Sequence, residues 1–489
     1  MSEPTSRYEF QGVGSSTSVT IGTRLRQRVR ALCRRIGSAA IVVSALALLA
    51  GCSNLQRSDK RLFSAALETA PPVVTSSSGP LSRRQSEAVL KKLERKRGPA
   101  TLLKHHLAVE QALTSNDLVA GNRVTLLENG PAIYGAMFDA VSHARRNINV
   151  ETYILSDDGL GREFANLLIR KRSEGVAVNV IYDALGSRDT PRSFFDLMAK
   201  AGIRLTAFNP LGINTLGTVN NRDHRKLLIV DGRTVFVGGM NLRAFFVRPL
   251  NGDSVDESRQ LPWRETDVEI QGPVVATFQK FFFAHWKSQR GSPPVPSEYL
   301  PPLRPVGNYV VRAIASRANQ PVALIYATLL SAINSAEKSI YITDAYFSPN
   351  RRFLNALTAA AKRGVDVEMI LPSKTDAKLV LEAGRSNYAR LLDAGVKIYE
   401  RQDYVLHAKT MVIDGVWSTV GSTNLDWRSF LHNDEVNAVV LGRGFGRKME
   451  AMFAADRRGS NRITKREWDR RSLWERMREG FASMWEWWF

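Results

Sequence analysis

Two long stretches of the chain carry the same succession of apolar and polar positions. From Ala132 to Leu155, AIYGAMFDAVSHARRNINVETYIL opens with apolar residues at helical spacing and passes into the β-branched run INVETY. From Leu324 to Phe347, LIYATLLSAINSAEKSIYITDAYF does the same and ends in IYITDAY. In each copy a second helix ends at a glycine, Glu174-Gly175-Val176 or Arg363-Gly364-Val365. A short apolar strand follows, Val178-Asn179-Val180-Ile181-Tyr182 or Val367-Glu368-Met369-Ile370-Leu371, and a third helix ends Lys200-Ala201-Gly202 or Asp393-Ala394-Gly395. Strands alternating with helices predict an α/β fold, and the repetition predicts two similar lobes, each a β-sheet flanked by helices. Six prolines between Pro293 and Pro305 mark the boundary between them.

The two ends of the chain have a different pattern. From Ile36 to Ala50 runs IGSAAIVVSALALLA, preceded by six arginines between Arg24 and Arg35. At about 1.5 Å per residue this stretch is shorter than the ~30 Å of a bilayer core, so it reads as a secretory signal rather than a span. It ends Leu49-Ala50-Gly51-Cys52-Ser53, which resembles a bacterial lipoprotein signal: cleavage before Cys52 and acylation of its thiol. That implies a lipid anchor on the extracytoplasmic (periplasmic) side of a membrane, and Ser53 favours the outer one. The segment before the apolar run is long for a signal, and a start at Val29 would give an ordinary one.

Pro71-Pro72 and Ser76-Ser77-Ser78-Gly79-Pro80 read as linker, and Ser82 to Arg97 as a short basic helix, facing either an anionic surface or solvent. Near the C-terminus, Trp474, Met477, Phe481, Met484, Trp485 and Trp488 recur every three or four residues, with Arg470, Arg471, Arg476 and Arg478 on other faces. Such a helix either lies in a lipid interface or docks on the body through its apolar stripe. The chain thus divides into a signal over 1–52, a linker with a helical segment over 53–120, a first lobe over 121–290, a Pro-rich connection over 291–308, a second lobe over 309–455 and an Arg/Trp-rich amphipathic helix over 456–489.

Charge and cysteine content narrow the class. With 68 Lys+Arg against 47 Asp+Glu the net charge is +21, which calls for an anionic partner, nucleic acid or lipid. Two cysteines, Cys33 and Cys52, exclude a disulfide scaffold and a cysteine-based zinc site.

The chemistry lies where the duplication ends. His224-Arg225-Lys226 leads to Asp231-Gly232 and then Gly238-Gly239-Met240-Asn241; His407-Ala408-Lys409 leads to Asp414-Gly415 and then Gly421-Ser422-Thr423-Asn424. The spacings agree throughout: two residues from His to Lys, five from Lys to Asp, ten from Asp to Asn. The segment from His224 to Val237 reads as two strands around a two-residue Asp-Gly turn. That register pairs Lys226 with Val237 and His224 with Gly239, and in the second copy sets Ser422 opposite His407. Histidine and lysine then share a face, with Asn241 or Asn424 beside them: a nucleophile or proton carrier plus donors suited to phosphate oxygens. Asp231 and Asp414 lie about 17 Å along the strand from the lysines, too far for the same phosphate, so their role is in the turn.

Two copies of HxKxxxxD, each followed by Gly-Gly-x-Asn or Gly-Ser-x-Asn, resemble the phospholipase D superfamily over roughly Val124 to Phe453. Within it the chain is most similar to bacterial cardiolipin synthases, through Glu151-Thr152-Tyr153, the two motifs, and Asn424-Leu425-Asp426-Trp427-Arg428-Ser429-Phe430 followed by Asn433-Asp434-Glu435.

The resemblance implies two lobes packed about a pseudo-twofold axis with one cleft between them. It makes His224 the nucleophile and His407 the general acid/base, or the reverse, with Lys226, Lys409, Asn241 and Asn424 on the phosphate oxygens. A carboxylate beyond each motif orients the histidine, and aligning Asp267-Val268 with Glu435-Val436 nominates Asp267 and Glu435, each otherwise an exposed strand carboxylate. The implied reaction joins two phosphatidylglycerols into cardiolipin and glycerol through a phosphatidyl-histidine. A hydrolytic phospholipase D and a nuclease are the alternatives; the nuclease is disfavoured because only Tyr153 and Tyr346 could stack on bases near the cleft. No cofactor or metal is implied. Phospholipid and an anionic membrane surface are the implied partners, and one chain suffices for the site. The long loop from Phe245 to Trp263 would reshape the acceptor side.

Overall fold

The β-branched runs form the centres of two mixed sheets of identical strand order. The computed structural model describes residues 71–93, 105–114, 116–210, 212, 218, 220–244, 262–289 and 299–485; Cys33, Cys52, the loop residues 245–261 and the last four residues lie outside them. In the first lobe the order is Arg204–Phe208, Ala177–Asp183, Asn147–Thr152, Leu227–Val230, Thr234–Gly238, Thr266–Gln271, Leu118–Glu128. The second lobe repeats it as Lys397–Arg401, Asp366–Pro372, Ser339–Thr343, Thr410–Ile413, Trp417–Gly421, Asn433–Leu441, Tyr309–Ser316. The first three strands of each are mutually parallel and need helical crossovers; the rest are antiparallel. The sheets join where Leu118–Glu128 runs antiparallel to Tyr309–Ser316.

The repeated glycines end those crossover helices. Gly175 and Gly364 both sit at φ 90°, where an L side chain is strained. In each case the residue after the glycine donates back five positions, Val176 N to Lys171 O and Val365 N to Ala360 O, both 3.1 Å. This is a Schellman closure, and it turns the chain directly into the next strand.

Three apolar layers result. Ile133, Phe164, Leu168, Phe194 and Met198 pack helices onto the outer face of the first sheet, and Ile325, Leu329, Phe353 and Leu357 do so on the second. The third layer belongs to both lobes: Val235, Val237, Ile270, Phe278 and Phe282 meet Val412, Val420, Ala438 and Val440. This shared core is what fixes one lobe against the other.

Two end segments differ from their sequence reading. Ser76 to Pro80 is a tight hairpin rather than a linker: Val74–Ser76 pairs with Gly79–Pro80 and runs parallel to Leu118 and Val119. The reason is apolar cover, since Val74, Leu90 and Leu107 all join the second lobe's core. At the other end, Ser460–Ile463 is an edge strand on Lys397–Arg401, so the second lobe extends beyond residue 455. Two capping boxes follow, Thr464 with Glu467 and Ser472 with Glu475, and the second begins the helix Leu473–Ser483. That helix docks through Glu479 and Ala482, with Arg471 bonded to Glu479 and Arg478 to Glu382 at 2.9 Å. Its apolar stripe faces outward: Leu473, Trp474, Met477, Phe481 and Met484 are between 57% and 77% exposed. No helix among the described residues is long and apolar enough to cross a membrane.

Candidate active site

Each motif strand leaves its own sheet before its histidine and pairs with the other lobe. Arg222–Asp223 runs parallel to Asn433 and Asp434, and His224 N donates to Asp434 O at 2.9 Å. Symmetrically, Val405–Leu406 runs parallel to Trp263–Arg264, and His407 N donates to Arg264 O at 2.9 Å. The hairpin ladder proper therefore begins at Leu227 and Thr410, after the lysines.

The register also differs by one from the two-residue turn. Val230 pairs with Thr234 and Ile413 with Trp417, so three residues form each turn. Asp231 and Asp414 do more there than start an Asp-Gly corner. The Asp231 carboxylate accepts from the backbone N–H groups of Arg145, Arg146 and Asn147 at 2.7–3.0 Å. Asp414 accepts from those of Glu337, Lys338 and Ser339 at 2.7–3.0 Å. Each aspartate thereby ties the hairpin to the start of the neighbouring parallel strand, far from the lysines.

The exchange of strands brings a carboxylate from each lobe to the histidine of the other. His224 Nδ1 lies 3.0 and 3.1 Å from the two oxygens of Glu435, and His407 Nδ1 lies 2.5 Å from Glu265 Oε2. In both rings the carboxylate engages Nδ1, which fixes the orientation of the imidazole. The partner of His407 is thus Glu265 and not Asp267. Asp267 Oδ1 instead accepts from Gly239 N and Met240 N at 3.0 and 3.3 Å, holding the glycine step that leads to Asn241. The pairing explains the correction: Asp267 faces Gly238 and Asn437 faces Gly421, so Asp267 is the counterpart of Asn437, two residues past the glutamate. The recurring signal is Glu265-Thr266-Asp267 against Glu435-Val436-Asn437, with the glutamate first.

The other motif residues converge in matching pairs. Lys226 Nζ donates to His224 O at 2.7 Å, and Lys409 Nζ donates to His407 O. Tyr153 stands edge-on to His224 with Lys226 Nζ 5.4 Å from its ring, and Tyr346 does the same for His407 and Lys409, at 5.9 Å. Asn241 Oδ1 accepts from Ile154 N at 3.2 Å, which leaves its amide N–H groups for an anion. Asn424 Oδ1 has no hydrogen-bond partner among the described residues. Both asparagines and both histidines line one cavity of about 750 Å³, within the usual range for a small-molecule site.

Burial governs the electrostatics. Burial first, then Lys226, Lys409 and Arg428, hold the His224 imidazole well below its ordinary value; burial, Lys409 and Lys226 do the same to His407. Burial also pushes Glu265 and Glu435 up to about 7 and brings the Lys226 ammonium down to about 7. An anionic phosphodiester between the two lysines would offset the lowering of Lys226 and of the imidazoles and let one imidazole hold a proton.

Behind His224 lies a buried ionic network that sequence reading did not find. His285 Nδ1 meets Glu151 Oε1 at 2.6 Å, and Arg225 reaches Glu151 at 3.5 Å, Asp434 at 3.7 Å, Ser316 O at 3.0 Å and Glu435 O at 3.3 Å. Glu151, Asp223 and His285 offer ligand atoms within 4.8 Å of one another, but the Arg225 guanidinium already supplies countercharge there.

Comparison with known proteins follows the same lines. A family model described as "Cardiolipin synthase, PLD-like domain" matches residues 137–248 and 329–457, one match in each lobe. The chain is 32% identical over 402 residues to cardiolipin synthase 2 of Staphylococcus epidermidis, covering 81% of this chain and 80% of that protein. It is 37% identical over 350 residues to cardiolipin synthase A of Pseudomonas putida, covering 71% of each. Among solved structures, phosphatidylserine synthase of Haemophilus influenzae Rd KW20 shares the fold, with a TM-score of 0.58 at 12% identity over 74% of this chain and 92% of that one. With two matched lobes and relatives aligned over most of its length, the chain belongs to the cardiolipin synthase-like family of the phospholipase D superfamily.

Proposed function

We propose that the chain is a phosphatidyltransferase that converts two phosphatidylglycerols into cardiolipin and glycerol. The observation that carries this reading is the crossed pairing of His224 with Glu435 and His407 with Glu265 above two buried lysines. His224 Nε2 bonds to phosphorus as the bond from phosphorus to the glycerol oxygen breaks, and His407 gives that oxygen its proton. A hydroxyl of the second phosphatidylglycerol then attacks phosphorus, the N–P bond breaks, and the hydroxyl proton passes to His407. Lys226, Lys409, Asn241 and Asn424 stabilise the charge on the non-bridging oxygens.

Two contacts favour His407 as the proton carrier. Glu435 spreads its charge over His224, Ser422 Oγ at 2.5 Å, Asn433 Nδ2 at 3.1 Å and the Ser429 side chain. Glu265 bears on His407 at 2.5 Å and accepts besides from Thr266 N at 3.1 Å, so among the described residues its charge is shared with fewer donors.

Membrane attachment fits the same reading. Acylation at Cys52 would provide one anchor on the extracytoplasmic side, and the outward stripe of the Leu473–Ser483 helix would provide a second on an anionic lipid surface. Because one chain carries both motifs, a monomer is sufficient for the site.

The test is lipid mass spectrometry on purified protein with phosphatidylglycerol in mixed micelles. Cardiolipin with released glycerol, absent in His224→Ala, is expected. Phosphatidic acid without cardiolipin would make the chain a hydrolase, and neither product would remove the lipid reading.

A further inference from the structure

His224 attacks phosphorus from one side, so the glycerol leaves and the acceptor enters on the opposite side, where His407 handles the proton. That side of the cavity mixes apolar and polar walls. Trp263 packs its ring 5.1 Å from that of His407, and Val380 and Val405 share the lining with Lys374, Thr375 and Asp376. The polar trio comes from one loop, between the strand Asp366–Pro372 and the helix Lys378–Arg385.

The matching loop of the first lobe, after Ala177–Asp183, does not line the cavity. The Asp183 carboxylate folds it back by accepting from Leu185 N and Gly186 N at 2.9 and 2.8 Å. Gly186 then lies so close to Tyr153 that a Cβ would stand 2.3 Å from Tyr153 O. Pro372 occupies the place of Asp183 in the second lobe and offers no carboxylate. There the loop is held differently: Ser373 N donates to Arg401 O and Ala377 N to Thr375 Oγ1, both at 3.1 Å. Asp376 Oδ1 accepts from Tyr346 OH at 2.6 Å and from Thr375 Oγ1 at 3.2 Å. Since the Tyr346 ring stands edge-on to His407, the carboxylate lies one side chain from the proton carrier. Asp376 Oδ2 accepts no hydrogen bond among the described residues, and the exposed Lys374 makes neither an ion pair nor a hydrogen bond among them. The helix Lys378–Arg385 also takes the C-terminal helix, through Glu382 and Arg478 at 2.9 Å, so this loop belongs to the part of the molecule that carries the outward apolar stripe.

We propose that this loop binds the headgroup of the acceptor phosphatidylglycerol: Asp376 accepts from the glycerol hydroxyl that does not attack, and Lys374 pairs with the acceptor's own phosphodiester. The inference rests on the phosphatidyltransferase reading. An acceptor phosphatidylglycerol brings a second anionic phosphate to within one glycerol of the reacting phosphorus. The two charges repel, and the motif lysines already meet the first, so the second needs a cation of its own. A carboxylate suits the neighbouring hydroxyl and an ammonium suits the phosphate, whereas water offers neither handle. The leaving glycerol of the first half-reaction occupies the same place without a phosphate. Asp376 therefore serves both half-reactions and Lys374 only the second.

The experiment offers deuterated glycerol and butanol together to wild type, Lys374→Gln, Lys374→Arg and Asp376→Asn acting on phosphatidylglycerol in mixed micelles. Initial cardiolipin, headgroup-labelled phosphatidylglycerol and phosphatidylbutanol are quantified by mass spectrometry. All three products leave one phosphatidyl-enzyme, so their ratios read the acceptor step and cancel any change in folding or in the first half-reaction. In Lys374→Gln the ratio of cardiolipin to labelled phosphatidylglycerol is expected to fall about fivefold, with recovery in Lys374→Arg. In Asp376→Asn both glycerol-derived products are expected to fall severalfold against phosphatidylbutanol. Unchanged ratios in either variant would overturn the inference, as would a parallel fall of all three products, which would make the loop merely structural. A wild type that forms phosphatidic acid but no cardiolipin would remove the transferase reading itself, and this inference with it.

Discussion

Glu265 and Asp267 stand two residues apart on one strand and are predicted to answer mutation differently. Replacing Glu265 by Gln removes the base that holds the His407 proton, and transfer is expected to fall by about 10²–10⁴-fold with the fold intact, as initial rates of product formation will read. Asp267→Asn keeps an amide oxygen for Gly239 N and Met240 N, and transfer is expected to stay near wild type. Its signature lies in stability against pH. Burial, with Glu265 beside it, raises the Asp267 carboxyl to about 8 from an ordinary value near 3.8. A carboxyl raised on folding favours the native state below its unfolded value, and that contribution is lost as pH rises toward the folded one. Thermal melts from pH 4 to 8 should therefore show Asp267→Asn gaining on the wild type as pH increases; parallel curves would contradict this. The histidines, lysines and asparagines were legible because their spacing repeats. Glu265 was not, because apolar strand residues align equally well two positions apart. Only the pairing of Asp267 with Gly238 and of Asn437 with Gly421 distinguishes the two alignments.

At the scale of elements, the two hairpins depend on aspartates that the chemistry does not use. Asp231→Ala leaves three backbone N–H groups without their carboxylate and is expected to cost about 2–3 kcal/mol in urea melts, with kcat of the folded fraction kept. The helix–strand alternation and the turn position followed from periodicity, whereas the three-residue loop did not. It is fixed by the Arg145–Asn147 backbone, over 80 residues distant, which no local pattern encodes. The C-terminal helix is the reverse case: its stripe was plain, but which face docks depends on Glu479 meeting Arg471 and on Arg478 reaching Glu382. Trp474→Ser with Met477→Ser and Phe481→Ser should weaken sedimentation with phosphatidylglycerol vesicles severalfold. Because these side chains are exposed, the melting temperature should hardly move. Loss of stability in place of loss of binding would mean that the stripe covers protein.

For the whole molecule, the duplication announces two lobes but not how tightly they are joined. Paired sheets, a shared apolar core and crossed strands make the cleft a property of both halves. Arg225 concentrates that dependence, since it bonds Glu151 in its own lobe and Ser316 O, Glu435 O and Asp434 in the other. Arg225→Met would leave buried carboxylates uncompensated and is expected to cost about 3–5 kcal/mol, read as one cooperative transition shifted down rather than two. The charge of +21 calls for an anionic partner without naming it, because lipid headgroups and nucleic-acid phosphates attract the same residues. The covalent step gives the mechanism its most specific signature. Rapid mixing with phosphatidylglycerol, alkaline quench and peptide mass spectrometry would look for the adduct directly. A phosphatidyl mass on the peptide bearing His224, absent in His224→Ala, is the predicted result; an adduct on His407 alone, or none while cardiolipin accumulates, would contradict it.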